Sequence, residues 1–160
     1  MKKDELVVSC SGIQSDPFEP LMEENFADST LQGNEKIKAA IHLFHREQSD
    51  ENYTAACHAL RERMAEEGHM IFPADITENA AGCACFHFKT VDIDEMTFLV
   101  AFTDQEEYKK APASGAVSQC VYPMLENIMQ QEEMAGMVIN PWGEQLVLCK
   151  ADIANVICGS

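Results

Sequence analysis

Three residues with metal-ligating chemistry stand at alternate positions in Cys83-Ala84-Cys85-Phe86-His87. If the segment is a strand, their side chains share one face while Phe86 and Phe88 take the other. Two thiolates and an imidazole suit zinc or copper. A tetrahedral site needs a fourth ligand, and no CxxC or HxxxH spacing supplies one. Cysteine also serves as a small buried hydrophobe. The usual two-residue knuckle is missing, so burial is the preferred reading of Cys83, Cys85 and His87. A metal- or thiol-dependent enzyme, or a small-molecule sensor, built on those three residues is the alternative.

Other chemistry has less support. His42 and His45 fall beside Lys38 on the polar side of a helical stripe, and His58 falls one turn before Glu62, so all three read as solvated surface. Ser114-Gly115 lacks the G-x-S-x-G elbow of a hydrolase nucleophile. Cys57, Cys120, Cys149 and Cys158 have no adjacent base that marks one as reactive. Gly136 and Gly143 are turn glycines and not a phosphate-binding G-x-G-x-x-G. Asp92, Asp94 and Glu95 lack the longer ligand ladder and central glycine of an EF-hand. No catalytic residue is assigned.

The elements that would hold these residues are clearer. Met137-Val138-Ile139 and Leu146-Val147-Leu148 flank Asn140-Pro141-Trp142-Gly143. Asn favours the first position of a type I turn, Pro the second and Gly the fourth. The segment predicts a β-hairpin, and its continuous apolar runs predict strands buried on both faces. Trp142 at the tip would anchor a partner if exposed, or cover a sheet edge if folded back. Folded back is the reading preferred. Asn140, Pro141 and Trp142 are the candidate interaction residues of this turn.

Upstream, Ile37, Ala40, Ile41 and Phe44 form one amphipathic helical stripe. Ser49-Asp50 supplies an N-cap, and Tyr53, Ala56, Cys57, Leu60 and Met64 repeat the stripe until Gly68. The two helices make a hairpin. Strands follow at 70–72, 83–91 and 96–102, with 74–82 a loop after Pro73 and Asp92-Ile93-Asp94-Glu95 a tight turn. Thr103-Asp104-Gln105-Glu106 reads as a capping box opening a short helix that stops before Pro112. A possible strand at 117–121, a helix with Pro123 in its first turn, the hairpin and a helix at 151–157 complete the chain. The expected fold class is mixed α+β: one mixed sheet, an N-terminal helical hairpin and further short helices packed on it.

Residues 1–33 show no period beyond Leu6–Val8. Pro17 and Pro20 interrupt a stretch in which Phe18, Leu21, Met22 and Phe26 stand among acidic residues. The segment reads as a tail, with Phe18 and Phe26 as a possible docking motif for an apolar groove. The domain proper is expected over 34–160.

Charge narrows the partners. Against 27 Asp and Glu there are 11 Lys and Arg, a net of −16. Such a surface repels phosphate, which disfavours nucleic acid and anionic membranes. The opening MKKDELVVSCSG has too short an apolar run for a secretory signal. Seven cysteines, an odd number without that signal, suit reduced thiols in a cytoplasm.

Three segments carry a resemblance. Thr97-Phe98-Leu99-Val100-Ala101-Phe102-Thr103, the acidic cap after it, and Gly136–Gly143 with Leu148 and Lys150 resemble the SseB-type N-terminal domain, named for enhanced serine sensitivity in bacteria. The helical hairpin and Met70-Ile71-Phe72-Pro73 fit the family's opening helices and first strand, so the likeness spans roughly 34–157. The resemblance implies a bacterial cytoplasmic α/β domain and brings no catalytic residues or cofactor. Larger members carry a second domain absent from this sequence. The expected function is therefore non-enzymatic: binding a protein partner or another copy of the chain.

Overall fold

The computed structural model describes residues 6–7, 31–78, 82, 84–111 and 115–158. Phe18 and Phe26, the candidate docking motif of the tail, lie outside them. The order of elements is β1 (Leu6–Val7), α1 (Asn34–Arg46), α2 (Asp50–Ala65), β2 (His69–Glu78), β3 (Ala84–Ile93), β4 (Met96–Ala101), α3 (Gln105–Lys109), β5 (Ala116–Cys120), α4 (Val121–Gln130), β6 (Met134–Ile139), β7 (Leu146–Cys149) and α5 (Lys150–Cys158). The sheet runs β5-β2-β3-β4-β6-β7, with β1 paired to β3. β4 and β6 are parallel and the other pairs antiparallel, so the sheet is mixed as expected.

Alternation along the strands splits the core in two. Met70, Phe72, Leu99, Ala101, Met137, Ile139, Leu146 and Leu148 face one layer. Ile37 and Ile41 of α1, Ala56 and Leu60 of α2, Met124 and Leu125 of α4, and Ile153 and Val156 of α5 complete that layer. Ile71, Phe98, Val100, Phe102 and Val138 face the opposite layer, with Tyr108 of α3. The apolar runs are continuous because both faces are covered.

Two local readings are corrected. Residues 74–78, expected in a loop, continue β2 through Pro73. The strand changes neighbours: His69–Pro73 pairs with β5, and Ala74–Glu78 pairs with β3. On the second edge Ile71 exchanges both backbone hydrogen bonds with Phe102 (3.0 and 2.8 Å). Pro73, two residues on, falls where that edge passes from Phe102 to β3, so its missing N–H is tolerated. The second correction concerns α3. Its N-cap is Asp104, whose side chain accepts from Glu107 N at 2.9 Å, and not Thr103. Thr103 is fully buried and is used elsewhere.

Turn chemistry explains the rest. The turn expected at 92–95 is a two-residue connection, with Asp94 and Glu95 at φ 52° and 67°. Positive φ at both positions is the pattern of the primed turns that match strand twist. After α2 the left-handed residue is Glu67, at φ 58°. Gly68 serves differently: a Cβ there would meet the guanidinium of Arg63, which is itself buried.

Candidate functional site

Where β6 ends, the backbone turns at Asn140 with φ 54°. Gly143 N–H donates to Asn140 C=O at 3.0 Å, which closes the four-residue turn. Asn tolerates this left-handed conformation better than other non-glycine residues. Its amide also ties the turn to the end of β4. Thr103 N–H donates to Asn140 Oδ1 at 3.0 Å, and Asn140 Nδ2 donates to Thr103 Oγ1 at 3.1 Å. From the other side, Asn34 Nδ2 donates to Thr103 C=O and to His69 C=O, each at 2.8 Å. Arg63 Nε donates to Asn34 Oδ1 at 2.8 Å. This buried network joins α1, α2, β2, β4 and β6 around one threonine.

Pro141 is buried and Trp142 half-buried. The indole stacks on Phe102, with centroids 6.2 Å apart and planes at 29°. Trp142 is thus folded back on the end of the sheet. Asn140 holds the turn rather than meeting solvent, being 2% exposed.

Beside the turn lies a cavity of about 240 Å³ lined by Lys38 of α1, Glu106, Glu107 and Lys110 at α3, and Asn140 and Glu144. Glu107 is 3% exposed, although it occupies the first turn of a five-residue helix that reads as surface. Its Oε2 meets Lys38 Nζ at 3.1 Å and Lys110 Nζ at 2.9 Å. Its Oε1 is buried and has no hydrogen-bond partner among the described residues. An acceptor left in that condition costs about 1–3 kcal/mol. Gly143 leaves it room, since a Cβ there would run into Oε1.

The cations around Glu107 differ. Lys38 also bonds Asp104 Oδ2 and Glu106 Oε1, both at 3.2 Å. Burial alone would lower the affinity of its amine for a proton; the hydrogen bonds it donates to Glu107, Glu106 and Asp104 outweigh that and raise it well above the usual lysine range. Lys110 is held among the described residues only by Glu107, and its side chain is 44% exposed. His42 Nδ1 lies 2.9 Å from Glu144 Oε1, and His45 Nε2 lies 2.7 Å from Gln145 O. Both histidines stay exposed, yet each is joined to the turn rather than only solvated.

A second polar cluster was invisible in the sequence because its members are far apart in the chain. Tyr53 Oη donates to Asp152 Oδ2 at 2.6 Å and lies 3.1 Å from Val147 C=O. Cys149 Sγ donates to the same carboxylate oxygen at 3.0 Å. Gln145 C=O just before β7, and Val147 C=O and Cys149 N–H within it, each meet a side chain of α1, α2 or α5. These contacts blunt the edge against strand addition. The adjoining cavity, about 260 Å³, is lined by Cys57, His58, Arg61 and Asn155 among others.

Burial, with the charge of Asp152, pushes the Cys57 thiol up to about 11 against a partial opposing hydrogen bond from Tyr53. A thiol so raised is a poor nucleophile. The native state keeps the proton longer than the unfolded chain, so the associated stability is complete below pH 9.0 and is lost as pH rises toward about 11. Alkylation with iodoacetamide at about pH 8.5 should label exposed Cys149 and Cys158 well before Cys57. Peptide mass mapping reads the order, and equal labelling of Cys57 would contradict the assignment.

Of Cys83, Cys85 and His87, read as buried with metal binding as the alternative, Cys83 lies outside the described residues. Cys85 pairs with Thr77 and His87 with Asp75 in the β2–β3 ladder. Among the described residues no group of three His, Cys, Asp or Glu side chains could hold a metal ion, and no helix is long and apolar enough to cross a membrane. Comparison with protein-family models, curated proteins and solved structures returns no match.

Proposed function

We propose that the protein is a non-enzymatic binding domain that docks a basic protein partner at the face formed by α1, α3 and the Asn140–Gly143 turn. The observation that carries this is a cavity lined by the buried carboxylate of Glu107, one oxygen of which has no hydrogen-bond partner among the described residues. Around it stand Asp104, Glu106, Glu107 and Glu144 against Lys38 and Lys110, four carboxylates to two ammonium groups. A chain of net charge −16 repels a second copy of itself and attracts a cationic surface. Half-buried Trp142, in the turn between the lining residues Asn140 and Glu144, supplies apolar area of the kind interfaces use. The SseB-type resemblance adds a bacterial cytoplasm as the setting.

The test is site-specific cross-linking in the native cells, with a photoreactive phenylalanine analogue in place of Trp142 or, as a control, of exposed Met129. A discrete adduct from position 142, absent from position 129 and lost with Glu144→Lys, is expected. Adducts at 129 alone, or none at 142, would overturn the docking face. Turnover of a metabolite abolished by a single Cys or His substitution would overturn the non-enzymatic reading.

A further inference from the structure

We infer that the cavity beside Glu107 receives the guanidinium of one arginine from the partner, and that Lys110 holds its place in the unbound protein. This rests on the binding-domain reading and names the group that domain recognises.

The cavity sets the size of the guest. At about 240 Å³ it lies below the ~300 Å³ at which pockets for whole small molecules begin, so it suits one side-chain head. The carboxylate sets the charge. Glu107 is 3% exposed, and its Oε1 lies against the turn at Gly143 without a donor among the described residues. Buried acceptors in native proteins are almost always satisfied, so an exception calls for a physical explanation.

The two resident lysines are not equivalent. Lys38 is fixed by three carboxylates, at 3.1–3.2 Å from Asp104, Glu106 and Glu107. Lys110 spans only the three residues back to Glu107 on its own helix and is 44% exposed. It can swing to solvent without breaking a second contact. Its departure exposes Glu107 and leaves the site one unit more negative, as an incoming cation requires.

Arginine fits better than lysine. Its planar fork can bridge two acceptors, and Glu107 and Glu144 line the same cavity. The guanidinium is also more weakly hydrated than an ammonium and costs less to bring in from water. Glu144, half-exposed and shared only with His42 among the described residues, is free to turn toward it.

The experiment is an NMR titration of the full chain with Nα-acetyl-arginine-N-methylamide, repeated with the citrulline and lysine analogues. Shift changes should centre on Glu106, Glu107 and Glu144. Lys110→Ala should bind the arginine probe about tenfold more tightly, because its intramolecular competitor is gone. Glu107→Gln should abolish binding, and Glu144→Gln, at an exposed position that leaves the fold intact, should weaken it.

Lys110→Ala binding no more tightly than the parent would overturn the place-holder. Equal binding of citrulline would overturn the charge requirement, and tighter binding of the lysine analogue would overturn the choice of guanidinium. Probe binding without cross-linked adducts at position 142 would leave the pocket standing and sink the protein-partner reading. Adducts without probe binding would do the reverse.

Discussion

Asn140→Ala should destabilise the protein by about 3 kcal/mol, the sum of an unmet buried N–H on Thr103 and alanine held in a left-handed conformation. Asn140 supplies both the acceptor for Thr103 N–H and the donor to Thr103 Oγ1, at φ 54°. For a chain of this length the melting temperature should fall by roughly 6–12 °C. Asn140→Gly separates the two effects, since glycine accepts the backbone angle but loses the amide, and should recover about 1 kcal/mol. Thermal and urea unfolding of the two variants measures both. A loss under about 0.5 kcal/mol for alanine would show that the Asn34–Thr103–Asn140 network does not hold these elements together.

Much of the scaffold was legible because its signals are local. The stripe Ile37–Ile41 needs only the helical period, and both residues are fully buried. The hairpin needs only two apolar runs and the residues between them, and β6 pairs with β7 around that turn. The turn at Asp94–Glu95 and the Ser49 cap, which accepts from Asn52 N at 3.1 Å, are of the same kind. Pro73 misled because its effect depends on which strand lies on each side. A proline that ends one pairing and precedes another looks, in sequence, like the end of a strand. Strand order itself had no local signal: β5 joins the far side of β2 after three intervening elements.

The candidate site was only half legible, for a related reason. A helical wheel shows that His42 and Lys38 are on the polar side of α1. It does not show that the turn at 140–145 and the start of α3 stand above that side. Glu107 reads as a surface residue of a short helix, and only neighbours 36 and 69 positions away, Gly143 of the turn and Lys38, make it a buried carboxylate. The threonine read as a cap was a buried junction, and the cap was the next residue. Asn34 carried no signal and Asn140 only that of a turn residue, because the side-chain contacts that define them span 35, 69 and 37 positions.

Gly136→Ala should be the most damaging small substitution in the hairpin, costing about 3 kcal/mol or more. Gly136 lies opposite Cys149 in the β6–β7 ladder. A Cβ built on it would penetrate the carbonyl oxygen of Leu148 and come within 2.9 Å of Cys149 Cα. Both obstacles are backbone, so no side-chain rotation relieves them. The strand pair would have to separate at this end, and the separation would reach function. β7 carries into the sheet the Leu146 and Leu148 side chains that help hold α2, α4 and α5. Its outward groups anchor Tyr53 and Asp152, and the turn before it carries Glu144. Hydrogen exchange should therefore show protection lost first in Leu146–Cys149 and α5, with α1 and α2 following. Gly136→Ser should be at least as damaging, because its Cβ meets the same backbone atoms. A Gly136→Ala protein with unchanged melting temperature would refute the close approach of β6 and β7.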